Sequence, residues 1–272
     1  LPREPPDSRD EAALALLAAC TPTDTPAQGG GRWKTEIEQA EAAARRGDRR
    51  EATRLASAIV AQYTRAASNS SADHVHAGRA YVLLSTGNAS AARSALAAFD
   101  AGAADKTNLE ATRRTGDLFL EKYNAPDARL SYESVLARAP NDAEALLGLA
   151  QVEEFEGKPS ALATARRAIA AKPDFARAHA YVSRMQLEAE EWDSATVSAR
   201  RALAADSLSI DAWSVLGATA WLRGDSSAFR TAHAAATRLQ PQPSEFFAAL
   251  AEAAVRQRRY AEAVKLAEQA VA

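Results

Sequence analysis

At 272 residues with a formal net charge of −2, the chain carries no global field that would recruit nucleic acid or an acidic membrane. It is 47% apolar with only 6% aromatics and abundant alanine, a composition that suits close helix packing better than sheets. A lone cysteine, Cys20, excludes an intrachain disulfide and a cysteine-based metal cage, and no apolar run reaches the roughly 20 residues of a spanning helix.

Residues 1–9 are rich in proline and charge and read as an extended lead. Residues 10–20 form a short Ala/Leu helix candidate, and residues 21–31 (TPTDTPAQGGG) have the composition of a tether. The division expected is therefore an arm over 1–31 and a folded region over 32–272. Leu17-Ala18-Ala19-Cys20 resembles a bacterial lipoprotein cleavage box, which makes Cys20 a candidate lipidation residue. On that likeness the reading leans to an extracytoplasmic place, secreted or lipid-anchored in a bacterium, over the cytoplasm. Against it stand the shortness of the apolar run and its upstream flank (Arg9, Asp10, Glu11), which lacks net positive charge. The chain opens on Leu1 without a methionine, so a processed or excised piece of a longer product is expected.

From Trp33 onward apolar positions recur with helical spacing. First helices of successive pairs are expected at about 33–46, 73–86, 109–123, 143–156, 176–189, 210–223 and 244–257. Second helices are expected at about 49–65, 89–100, 126–139, 159–171, 193–205, 226–239 and 260–272. Gly47, Gly87, Gly157 and Gly224 fall in the turn within a pair, where a left-handed residue ends a helix at little steric cost. Pro140, Pro173 and Pro241 close pairs, because proline cannot continue the helix it follows.

The pairs repeat one another. Ala195, Phe229 and Ala263 are one step of about 34 residues apart, as are Ala202, Ala236 and Ala270, and Val182, Leu216 and Leu250. A first-helix position is always small: Ala40, Ala80, Gly116, Ala150, Ser183, Gly217 and Ala251. On the second helices Ala52, Ala92, Ala128, Ala161, Ala195 and Ala263 do the same, with Phe229 as the break and Ala228 as its expected substitute. Trp192, Trp213, Leu216, Phe247, Leu250 and Tyr260 are expected to fill the space between pairs. The spacing stretches early in the array, and the surplus is expected in surface loops at Ala66–Asp73 and Ala101–Asn108.

This pattern, clearest in Trp213, Leu216, Gly217, Gly224, Ala236 and Pro241, resembles the tetratricopeptide-repeat (TPR) family. The resemblance implies an all-α, right-handed superhelical solenoid of about seven antiparallel helix pairs, with the first helices lining a concave groove. By register the groove candidates are Lys34, Glu41, Tyr81, Arg113, Asp117, Gln151, Arg177, Arg184, Trp221 and Glu252. Tyr81 and Trp221 beside arginines are the expected anchors for a partner segment. Some members grip a C-terminal carboxylate with lysine and asparagine. Here the corresponding pairs are Ile37 with Glu41, Ala77 with Tyr81, and Arg113 with Asp117, so that clamp is absent.

No catalytic constellation is legible. There is no His-Glu-x-x-His run, G-x-S-x-G elbow, phosphate loop or dinucleotide fingerprint, and His74 and His76 point to different helix faces. The arginine cluster from Arg45 to Arg54 is interleaved with Glu38, Glu41, Asp48 and Glu51, the pattern of a salt-bridged face. The expected role is non-catalytic, without cofactor or metal. The expected partner is another protein or peptide segment, with no nucleic acid and no transmembrane segment. The competing expectation is a subunit that assembles head-to-tail with copies of itself. Ala261, Val264, Leu266, Ala267 and Val271 would form its sticky end, with the N-terminal arm docking on a neighbour.

Overall fold

A computed structural model describes residues 31–271. Cys20, the 10–20 segment and most of the Thr/Pro/Gly stretch lie outside the described residues. Among the described residues there are fourteen α-helices and no strand. The first helices of the pairs are α1 (Lys34–Arg45), α3 (Ser71–Leu83), α5 (Leu109–Glu121), α7 (Ala143–Phe155), α9 (Ala176–Glu188), α11 (Ile210–Leu222) and α13 (Ser244–Arg256). The second helices are α2 (Arg49–Arg65), α4 (Ala89–Ala103), α6 (Ala125–Leu136), α8 (Ala161–Ala171), α10 (Trp192–Ala205), α12 (Ser226–Leu239) and α14 (Tyr260–Val271). Seven antiparallel pairs result, each packed on its neighbours in an all-α superhelical repeat. No helix among the described residues is long and apolar enough to cross a membrane.

Local chemistry explains where the helices begin and end. Asp48, Ser70, Asn88, Asn108, Asn124, Asp142, Ser209 and Asp225 each accept a backbone N–H of the first turn, satisfying a donor that has no partner within the helix. Every turn within a pair passes through one left-handed residue. Four pairs use the glycines expected from sequence, and the other three use Tyr123, Glu190 and Arg258 at φ near +60°. An L side chain in that conformation costs about 1–2 kcal/mol, which the packed pair overrides. Glycine alone therefore marked only part of the turns.

The small first-helix positions are all buried. Two of them receive rings: a Cβ on Gly116 would lie 2.9 Å from Tyr132 and one on Gly217 2.3 Å from Phe246. The same holds two residues before Ala80 and Ala150, where a Cβ on Gly78 would lie 2.4 Å from Phe99 and one on Gly148 2.3 Å from Tyr132. The second-helix series needs two corrections. In α4 the buried alanine is Ala91, with Ala95 and Ala98 behind it, while Ala92 is only half-buried. In α12 Ala228 is exposed and does not stand in for Phe229, which occupies the position itself. The early surplus is only partly in loops, at residues 66–70 and 104–108. The rest lengthens the second helices, α2 to 17 residues and α4 to 15, because the alanine-rich sequence continues in helical period. Of the expected inter-pair fillers, Leu250 is fully buried and Trp192, Trp213, Leu216 and Phe247 pack against the same core. Tyr260 does not: at the start of α14 it is 61% exposed, because no described helix packs on its outer side.

Phe229 has a larger consequence. At each earlier junction a second helix lies against the next first helix. At the last one Phe229, His233, Phe246 and Phe247 stack with ring centroids 5.5–6.1 Å apart. These rings hold the α12 and α13 backbones apart, and α13 swings to pack along α11 instead. The displacement lets pair seven reach over pair six to pair five. Arg256 lies 3.5 Å from Glu188, and the Gln257 amide donates to Glu190 at 2.9 Å.

Candidate functional site

The face formed by the first helices carries a ladder of ion pairs between successive pairs. Arg79 on α3 makes a two-pronged contact with Glu41 on α1 at 2.7 and 2.8 Å. Burial would raise the Glu41 carboxyl, but the Arg79 hydrogen bonds and charge outweigh it and hold the group below its ordinary range. Farther along, Arg113 reaches Asp142 at 3.2 Å, Arg177 reaches Glu144 at 3.0 Å, and Arg184 reaches Glu154 at 2.6 Å. Arg184 also pairs with Glu188 in its own helix and lies over the Tyr181 ring.

Beyond this ladder, α9, α11 and α13 enclose a hollow of about 200 Å³. That is somewhat more than the ~150 Å³ that accommodates a benzene ring, so it suits one or two side chains. Leu187, Val215, Leu222, Ala248, Ala249 and Ala253 line it with apolar surface. Its charged lining is Arg184 and Arg256 against Glu188, Glu190, Asp211, Glu245 and Glu252. Asp211 is exposed on the open side of the hollow, yet the surrounding walls withdraw part of its solvent and Glu245 adds like charge. Together these push its carboxyl above the usual range, although Arg184 and Arg177 pull the other way.

Solved structures share this architecture. A thermophilic TPR protein of Thermus thermophilus aligns with a TM-score of 0.54 at 19% identity, covering 72% of this chain and all of its own. The chain has the fold of a tetratricopeptide-type solenoid. A lower overlap is found with the Pseudomonas aeruginosa pilF protein (TM-score 0.49, 20% identity, 60% of this chain and 75% of that one). MamA also aligns in part (TM-score 0.43, 23% identity, 57% of this chain and 92% of that one). No family model and no curated protein matches the sequence.

Within the helical array, the residues singled out from sequence are scattered. Arg184 and Glu252 line the hollow. Glu41 and Asp117 border a smaller one of about 90 Å³ between α1, α3 and α5. Lys34 is exposed on α1, and Gln151 is half-buried on α7. Tyr81 packs against Tyr63 and the Ala95, Phe99 and Leu118 core, and Trp221 packs on the C-terminal core with the Arg259 guanidinium 4.0 Å above its ring. Asp117 accepts the Tyr132 hydroxyl at 2.8 Å. Arg113 and Arg177 have internal carboxylates, as above. The anchors expected from sequence are thus largely engaged within the protein.

Sequence reasoning passed over Asp211, Ser214, Glu188, Glu245 and Arg256. A signal for them existed: Arg177, Asp211 and Glu245 stand one repeat apart, as do Glu188, Leu222 and Arg256. Among the described residues no group of His, Cys, Asp and Glu side chains is arranged to hold a metal ion. His74 faces the Tyr63 hydroxyl and His76 the Arg32 carbonyl.

Proposed function

We propose that the chain is a non-catalytic protein-interaction scaffold whose partner segment lies along the first-helix face, centred on the hollow between α9, α11 and α13. The observation behind this reading is that hollow's apolar floor, which three consecutive pairs leave uncovered. Exposed apolar concavities with a few convergent polar groups are where extended or helical segments of other proteins gain most from burial. A photocrosslinking side chain placed at Ala248 or Ala249, half-buried on the first-helix face, should yield discrete protein adducts in the source cells. The same group at Leu130 or Val197, exposed on second helices, should not. Equal yields from both faces would sink the reading.

A second reading is favoured by one observation at the C-terminal side of the array. Tyr260, Val264 and Val271 of α14 are 61%, 58% and 87% exposed, an apolar strip on an outermost helix. On α1 the exposed residues include Lys34, Glu38 and Gln39, so the two ends do not match one another. A second copy meeting α14 would therefore need to bring another surface, such as the Ala/Leu segment at residues 10–20. Mass in solution across a concentration series tests this. Growth of the assembly that is abolished by Val264→Glu supports it, and a constant monomer mass removes it.

A further inference from the structure

We propose that the hollow between α9, α11 and α13 receives the lysine or arginine side chain of a basic amphipathic segment, with an adjacent aliphatic residue of that segment seated on Val215, Leu222 and Ala249. This rests on the scaffold reading above and specifies its chemistry.

The argument begins with the order of charge along equivalent positions of successive first helices. Glu144, Arg177, Asp211 and Glu245 occupy one position in α7, α9, α11 and α13. The first step is an ion pair at 3.0 Å. Asp211 next feels the favourable charge of Arg177, but the last step sets Glu245 against it. Each acid gains from standing in the first turn of its helix, but their mutual repulsion across neighbouring helices offsets part of that gain until a cation lies between them.

The two arginines of the hollow offset this only in part, although Arg184 acts on Asp211 as well. Arg184 is committed to Glu154 and Glu188, and Arg256 to Glu188. Among the described residues, Asp211, Glu245 and Glu252 take part in no ion pair within 4.0 Å, and all three line the same space. Their field asks for a cation. The carboxylates are not grouped closely enough to hold a metal, which leaves an ammonium or guanidinium carried on a chain. The apolar floor beside them asks for an aliphatic neighbour on the same chain. Lysine and leucine one helical turn apart meet both demands. An anionic occupant is disfavoured by the same field. That includes the protein's own residues 1–20, where Glu4, Asp7, Asp10 and Glu11 outnumber Arg3 and Arg9.

The test uses the full chain and two short fluorescein-labelled helical peptides, one with lysine and leucine on one face and one with glutamate replacing lysine. Anisotropy at about 0.15 M salt should show the lysine peptide binding at least roughly tenfold tighter. The variant Asp211→Asn/Glu245→Gln keeps the side-chain shapes and should weaken that binding by roughly tenfold or more, as expected for lost charged hydrogen bonds. Asp127→Asn/Glu268→Gln, on exposed second-helix positions, should leave it unchanged. Equal binding of the two peptides would overturn the inference, and so would equal loss in both variants. If the lysine peptide fails to bind while crosslinks at Ala248 still capture a partner, the cation inference falls and the scaffold reading stands. If both fail, both fall.

Discussion

Gly217→Ala is the sharpest probe of the packing, because two effects of known sign oppose each other there. On helix propensity alone the change should stabilise α11 by up to about 1 kcal/mol. The structure places the added Cβ 2.3 Å from one Phe246 ring carbon and 2.4 Å from another. Something must move, and Phe246 has little room. It is fully buried, with Phe229, His233 and Phe247 at centroid separations of 5.9, 5.5 and 5.6 Å. Overpacking of this kind costs about 1–3 kcal/mol. The net expectation is a loss of about 1–2 kcal/mol, or roughly 2–8 °C in Tm for a chain of this size. Thermal and urea unfolding followed by circular dichroism would measure it. The double variant Gly217→Ala/Phe246→Leu should recover part of the loss, with a coupling above about 0.5 kcal/mol. A rise in Tm on Gly217→Ala would refute the packing argument. The bulkier Gly217→Trp, and Ser183→Trp at the equivalent buried site, should cost several kcal/mol for the same reason.

Tyr132→Phe should destabilise by about 1–2 kcal/mol, because it leaves Asp117 without the hydroxyl it accepts from at 2.8 Å; an unchanged urea midpoint would contradict this. Burial would raise the Asp73 carboxyl, but Arg32 and Ser70 hold it below its ordinary range, so the contribution of that clasp is complete at neutral pH. It should be lost as pH falls below about 4 through the folded pKa, and Asp73→Asn should flatten the acid limb of the stability curve. Asp211 has the opposite sign: its raised carboxyl penalises the fold above the folded pKa, and the penalty disappears on acidification. Asp211→Asn should therefore stabilise the unliganded protein at pH 7 while weakening capture of the basic peptide, and its advantage should vanish at low pH. Destabilisation by Asp211→Asn at neutral pH would show that this carboxylate serves the fold.

Much of the architecture was legible because a solenoid repeats its local rules. Helix ends followed the turn glycines Gly47, Gly87, Gly157 and Gly224, which act within one turn of where they stand. The small series from Ala40 to Ala251 was visible because every pair needs the same close approach. Less legible were features with two chemical solutions. The turns at Tyr123, Glu190 and Arg258 adopt the glycine conformation without glycine, since the packed pair outweighs a local cost of about 1–2 kcal/mol. The surplus before Ala91 could go into loop or helix, and alanine-rich sequence drew part of it into helix.

The candidate site divides differently. Periodicity alone determined that Arg113, Arg177, Arg184 and Trp221 sit on first helices, because that depends only on register. Whether each is available to a partner depends on what stands opposite it some thirty residues away, and those partners come from other pairs. Glu154 beside Arg184, Glu144 beside Arg177 and Arg259 above Trp221 are products of superhelical stacking, which one helix does not encode. The hollow itself arises where Phe229, His233, Phe246 and Phe247 hold α12 off α13 and turn α13 toward α11. The repeat named Phe229 as an exception; only the packed rings decided that the exception bends the array and brings Asp211, Glu245 and Glu252 around one space.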